Sequence, residues 1–323
     1  NYQYIFCNSK NLYNLQMHYS NSSLDLILGK NNFNGKIFHS IFNYRFLKNI
    51  KKKDFKSFLK LDVNNKIVKN LKIGDLSYQK FLMIKNYLNI FYSYYCKRPL
   101  LNLSDISLGN ILIASAFLKN KKNFNKSLHD IQDFLEIKNK VLNITKGENL
   151  FLNAVLEDGT FISNEEHLVQ IPHQSKVEDI FLLKKKLSNK EIKLINSKKN
   201  KNKKDILNKS SARPKINTEA ASVIKSSDII IYGPGTQFSS LFPSYLTIGL
   251  RKLIEKSKAK KFLVTNIYLD NDIIKETVES IIEKFYYFFN KKNPKINNKL
   301  INYYLVNKFD DHDLNLLKKN NYL

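Results

Sequence analysis

An α/β fold around a mostly parallel sheet follows from three features of the sequence. Ile229-Ile230-Ile231-Tyr232 is an unbroken apolar run rich in β-branched residues, the pattern of a strand buried on both faces, and such strands belong to parallel sheets. Helical spacing from Leu246 to Lys256 and a second buried strand from Lys261 to Ile267 follow it, which together have the spacing of a βαβ unit. At 323 residues the chain is long enough to bury a large core. One α/β domain over residues 1–323 is expected, with a β-hairpin and a basic Lys/Asn-rich insertion at 184–215.

In chain order, Tyr2 to Cys7 alternates as a short strand does, and Asn31 to Gly35 is a turn cluster ahead of an apolar segment from Ile37 to Leu47. Arg45 lies between Tyr44 and Phe46, where it could clamp a phosphate or lay its stem over the rings. Phe81, Leu82, Ile84, Leu88, Phe91 and Tyr95 fall close to helical spacing and predict a core helix from Ser77 to Tyr95. Ser104 or Ser107 can cap a second helix, whose small and apolar residues through Leu118 suit burial. Gly109 stands near that start. The first-turn N–H groups make it a candidate anion site, and a close helix crossing explains the same glycine; both readings stand.

Phe124 to Leu135 places Leu128, Ile131, Phe134 and Leu135 on one helical face. Two β segments, Leu150 to Leu156 and Thr160 to Ser163, are joined through Glu157-Asp158-Gly159, which predicts a hairpin with a type I′ turn. Within the insertion, Ser197 to Lys204 has no apolar residue and is expected to be a mobile surface loop. A helix from Thr218 to Lys225 leads into the central strand. Ile273 to Phe289 predicts another helix and Ile301 to Val306 a short strand, with the last dozen residues peripheral.

The central strand ends on Gly233-Pro234-Gly235, followed by Thr236, Ser239 and Ser240. Glycine permits φ > 0 and proline fixes φ, so the chain can turn sharply where ligands bind in α/β sheets, beyond the carboxyl ends of strands. A glycine loop entering a helix start offers bare N–H groups to a phosphate. A tight structural turn fits the same residues, and the loop has no Lys of the P-loop pattern. Asn266, at the end of the next strand, would hydrogen-bond a ligand or hold the loop.

The formal net charge of +26 raises a nucleic-acid partner, but arginine occurs only at Arg45, Arg98, Arg213 and Arg251, and a generally basic surface argues against that reading. Cys7 and Cys96 form no C-x-x-C pair, which predicts a reduced, cytoplasmic setting without a zinc site. No apolar run approaches the ~18 residues of a membrane span, and no secretory segment is present. His18, His39, His129, His167, His173 and His312 are scattered, and no nucleophile or metal motif identifies itself.

Four stretches, in this order, resemble the 2-phospho-L-lactate transferase (CofD) and gluconeogenesis-factor (YvcK) family: Leu108 to Ala114, Ala154 to Thr160, Ser227 to Ser244 and Lys261 to Ile267. The resemblance covers roughly residues 100–270. It implies a three-layer, Rossmann-like α/β fold with a nucleotide diphosphate or nucleotide-sugar in the crevice. Transferase members move phospholactate from a guanosine-diphosphate-linked donor to a deazaflavin with Mg²⁺. The gluconeogenesis-factor branch binds UDP-sugars and acts in cell-envelope and carbon regulation, and the motifs here look closer to that branch.

Carried over by residue, the resemblance points to Gly109, Asn110, Gly233, Gly235, Thr236 and Ser240. The family also begins with a Gly-Gly-Thr-Gly loop and a following Asp-Asp stretch, whereas the first glycines here, Gly29 and Gly35, stand in neither pattern. The chain is therefore expected to lack the glycine-rich strand-loop, which leaves transfer and Mg²⁺ without those residues. The oligomeric state stays open, a homo-oligomer included.

Overall fold

The structure is a computed structural model, and it describes residues 4–6, 33–46, 49–62, 64–137, 140–170, 175–266, 273–290, 292–293 and 299–306. These group into two compact units, one running to Leu142 and one from Asn143. Of the expected features, Gly29, Asn31, Asn32, Ile267 and the last dozen residues lie outside the described residues.

The first unit is helical apart from a short pairing of β1, Tyr4–Phe6, with β2, Val141–Asn143. Its helices are α1 (Phe33–Asn43), α2 (Lys52–Phe58), α3 (Lys66–Asn70), α4 (Tyr78–Cys96), α5 (Leu108–Lys119) and α6 (Phe124–Leu135). Phe33, Asn34 and Gly35 open α1, so the expected turn does not extend over them. Every residue from Leu108 to Ala116 is buried, as expected of a helix that is apolar all round and sits amid others. Ser77, Ser107 and Asn123 cap α4, α5 and α6 through their side-chain oxygens. Phe38, Tyr87 and Phe134 meet edge to face inside this core.

The second unit contains two three-stranded sheets. In one, β3 (Phe151–Leu156) lies between β4 (Phe161–Ile162) and β5 (Val177–Leu183), all antiparallel. The hairpin is present, with a different turn. Gly159 N–H donates to Leu156 O (3.0 Å) and Leu156 N–H to Thr160 O (2.9 Å), and only Gly159 has positive φ (+90°), which makes a three-residue loop closed by a glycine bulge. Asp158 is a turn residue whose carboxylate accepts from Thr160 N–H (2.8 Å).

The basic insertion is helical where a mobile loop was expected: α8 spans Asn189–Asn196 and α9 spans Asn200–Ser210, with α7 (Glu165–Gln170) earlier in the chain. Ile195 and Leu207 pack with Val155, Phe181 and Leu183 of the antiparallel sheet. Lys203, within the tract without apolar residues, is buried and donates from Nζ to Gly159 O (2.6 Å), while Asn200 Nδ2 donates to Glu157 O (3.3 Å). The polar tract thus closes the hairpin turn.

Ser188 caps α8 in a reciprocal box with Glu191, whose carboxylate also accepts from Lys185 (2.7 Å). Lys185 first, then the Ser188 N–H and hydroxyl, lower the Glu191 pKa from 4.5 to about 2. A depressed acid contributes its stability above the unfolded pKa and loses it as pH falls through the folded value. Amide-exchange protection in α8 is therefore expected to hold above pH 4.5 and to fall away toward pH 2. Protection independent of pH across that window would contradict the box.

The other sheet is parallel, in the order β6 (Ile229–Tyr232), β7 (Lys260–Val264) and β8 (Tyr303–Leu305), with Tyr232 opposite Leu263 and Leu263 opposite Tyr304. α10 (Thr218–Ser226) precedes β6, α11 (Phe242–Tyr245) and α12 (Leu250–Lys256) connect β6 to β7, and α13 (Val278–Phe289) connects β7 to β8. Parallel strands joined by helical crossovers form the expected Rossmann-like α/β arrangement.

One expectation about β6 fails. Tyr232 is buried, its ring against Phe285 (4.8 Å between centroids) and its hydroxyl donating to Leu300 O (2.9 Å), but Ile229 and Ile231 are 56% and 59% exposed. Side chains alternate across a strand, and among the described residues α11 and α13 cover the Tyr232 face. Tyr303 and Leu305 of β8 are exposed as well.

Candidate functional site

The predicted residues fall at two places, one in each unit. In the first, Arg45 Nη1 donates to Asp105 O (2.7 Å) and lies 3.6 Å from the Asp105 carboxylate, so it fastens the approach to α5. Phe46 N–H to Ile106 O (3.1 Å) and Leu108 N–H to Tyr44 O (2.8 Å) hold the same approach, and Ser107 Oγ accepts from Asn110 N–H (3.0 Å). Gly109 serves the helix crossing. A Cβ there would lie 2.7–2.9 Å from Phe42 Cδ1, O and Cα. Asn110 is different: it is buried, and its Nδ2 has no hydrogen-bond partner. A buried donor left unpaired calls for an acceptor.

In the second unit, Gly233, Pro234, Gly235, Thr236, Ser239, Ser240 and Asn266 come together where β6 and β7 end. Gly235, at φ +157°, is gripped from both sides. Asn266 Nδ2 donates to Gly235 O (3.0 Å) and Gly235 N–H donates to Asn266 Oδ1 (3.4 Å). Gln237 Nε2 donates to both Gly235 O (3.2 Å) and Asn266 Oδ1 (3.0 Å). Asn266 thereby holds the loop.

Gln237 was not singled out in the sequence. Its signal was weak, since nothing in the spacing marks it apart from Thr236 and Ser239; its burial within the turn reveals it. Thr236 Oγ1 and Ser240 Oγ are 2.8 Å apart across one helical turn, Gln237–Leu241, which runs on into α11. Pro234 is exposed, and Ser239 is buried. Gly233 faces open space: a Cβ built there meets no atom within 4 Å.

The site is therefore a pre-organised loop at the carboxyl edge of a parallel sheet, neutral in its own side chains. A family model described as 2-phospho-L-lactate transferase CofD matches residues 21–322. The chain belongs to the CofD family. Relatives include a putative gluconeogenesis factor of Clostridium acetobutylicum, 26% identical over 64% of this chain and 38% of that protein. The gluconeogenesis factor of Halalkalibacterium halodurans is 25% identical over 52% of this chain and 43% of that one. The putative gluconeogenesis factor of Thermotoga maritima is 29% identical over 50% and 41%. The chain thus spans about two fifths of the length of these curated relatives. A crystal structure of a UPF0052-family protein from Bacillus halodurans is similar at TM-score 0.47 and 19% identity, covering 74% of this chain and 67% of that one.

The CofD name belongs to a transferase, and the resemblance implied Mg²⁺. A resident Mg²⁺ is usually held by one or two carboxylates. Neither 233–244 nor Asn266 supplies one, and among the described residues no group of three His, Cys, Asp or Glu is placed to hold a metal. The described loop does not fit that ion by itself. Among the described residues no helix is long and apolar enough to cross a membrane.

Proposed function

We propose that this CofD-family chain binds a nucleotide diphosphate or nucleotide-sugar, with the phosphates seated on the loop from Gly233 to Ser240. The observation that carries the reading is Gly233, which leaves open space at the carboxyl end of β6 while Asn266 and Gln237 hold Gly235 fixed behind it. A loop already held in place binds an anion without first having to be ordered.

A non-catalytic regulator that binds UDP-sugars is the second reading, ahead of a phospholactate-type transferase. It is favoured because the matched relatives are named gluconeogenesis factors and the loop carries neither a carboxylate nor a histidine to act as acid or base. Thermal shifts with GDP, UDP and UDP-sugars, each with and without Mg²⁺, separate the two, since a ligand of the native state raises its apparent stability. Stabilisation by UDP-sugars without Mg²⁺ supports the regulator.

Gly233 gives the decisive variant. Its backbone lies outside the positive-φ region and its Cβ position is open, so Gly233→Val should fold as the parent does while filling the space where the phosphates sit. The expected result is affinity weaker by about tenfold or more, ~1.4 kcal/mol. Equal affinity in the folded variant removes the loop from the proposal. Gly235 is a poorer probe, because φ +157° would itself strain any side chain placed there.

A further inference from the structure

We propose that the helical insertion, α8 and α9, docks the protein on an anionic lipid surface. The positive charge of the chain is not evenly spread. Residues 184–215 hold thirteen Lys and Arg against two Asp and Glu, a net +11 of the chain's +26 in about a tenth of its length. A uniform lysine bias does not concentrate charge in this way. Nor is the segment a solvated coil: Ile195 and Leu207 fasten both helices to the antiparallel sheet, which presents the remaining lysines on an ordered surface.

Lys190, Lys193, Lys198, Lys199, Lys201 and Lys209 are exposed, and none forms an ion pair among the described residues. Each helix also carries an aliphatic side chain turned away from the core: Leu194 is 56% exposed and Ile206 38%. In α8, Lys190 lies one turn before Leu194, with Lys198 just past the helix end, and in α9 Lys209 lies one turn beyond Ile206. Exposed aliphatic groups flanked by lysines whose stems can extend to the headgroups are the means by which a basic amphipathic helix rests in a bilayer interface. Lysine also gains from the negative surface potential of anionic lipid. The composition turns the choice away from nucleic acid. Residues 184–215 contain no aromatic side chain to stack on a base and one arginine, Arg213.

The test is co-sedimentation of the full chain with vesicles of phosphatidylcholine alone and of phosphatidylcholine with phosphatidylglycerol. Binding is expected only to the anionic vesicles, and it should weaken as salt is raised. The variant Leu194→Ser with Ile206→Ser should bind several-fold more weakly at unchanged salt. Replacing Lys193, Lys198, Lys199 and Lys201 with Gln should weaken binding by about tenfold or more. All these side chains are exposed, so circular dichroism should show the parent fold. Absence of binding to anionic vesicles overturns the proposal, as does equal binding by the folded variants. Tight binding of an RNA homopolymer that is indifferent to Leu194→Ser and Ile206→Ser, with no binding to vesicles, reassigns the surface to nucleic acid.

Discussion

Replacing Lys292 by Met is expected to lower the unfolding free energy by about 3–5 kcal/mol, because it leaves a buried carboxylate without its counter-charge. Asp179 lies in β5 at 2% exposure. Its carboxylate accepts from Lys292 Nζ (2.8 Å), from Ile180 N–H (2.8 Å) and from the Tyr287 hydroxyl (3.3 Å). Burial raises the Asp179 pKa and lowers that of Lys292, and the attraction between them opposes both shifts. Lys292 Nζ also donates to Asn208 Oδ1 (2.9 Å) and sits 3.8 Å from the centre of the Phe181 ring.

One ammonium therefore joins three elements: β5, the end of α9 and the chain just past α13. Met is of similar length and removes the ammonium, with its hydrogen bonds and its place over the Phe181 ring, so the expected effect is that of the lost charge and donors more than of lost volume. The control is the double variant Asp179→Leu with Lys292→Met. Replacing both partners of a buried pair by apolar groups is often neutral, so the double variant should be more stable than Lys292→Met alone. Denaturant unfolding of the parent and both variants checks this, and an unchanged midpoint for Lys292→Met would show that the pair is dispensable.

This network also shows where the sequence stops being legible. Helices α4, α5, α6 and α10 could be read because apolar spacing and a capping side chain are local properties, and β6, β7 and the hairpin because short apolar runs ended on turn residues. β5 went unread. Its apolar part, Ile180 to Leu183, stands between a Glu-Asp pair and three lysines, and the reason Asp179 can enter a strand is Lys292, more than a hundred residues away. The insertion is a similar case: nothing near Lys203 in sequence says that its ammonium will satisfy the carbonyl of Gly159.

Burial of β6 was misjudged on one face because a strand's own residues do not say whether a second layer covers them. At the loop, the glycines and Asn266 could be found from the strand ends, but the role of Asn266 as a brace and the part taken by Gln237 depend on where two loops meet. The turn at Asp158-Gly159 differs because the same dipeptide serves a two-residue I′ loop and a three-residue bulged one, and the pairing of Leu156 with Thr160 selects the latter.

Gly109→Ala is expected to destabilise the protein, although alanine is the better helix former. The exchange gains about 1 kcal/mol of helix propensity. Against that, the new Cβ would lie 2.8 Å from Phe42 O and 2.9 Å from Phe42 Cα, backbone atoms of a neighbouring helix that cannot rotate aside, besides 2.7 Å from the ring atom Cδ1. Overpacking of this kind costs about 1–3 kcal/mol and occasionally more. The clash wins because relief requires α1 and α5 to move apart, and Phe38, Ile41 and Phe42 of α1 are all buried in the same core. A thermal melt several degrees below the parent is the expected result. A variant as stable as the parent would mean that the helices do not cross this closely, and it would return Gly109 to the alternative role of keeping the α5 start open to a ligand beside Asn110. Because Ser107 and Asn110 ride on the same helical turn, the variant that loses stability should also perturb them, which ties the crossing at Phe42 to the unpaired Nδ2 of Asn110.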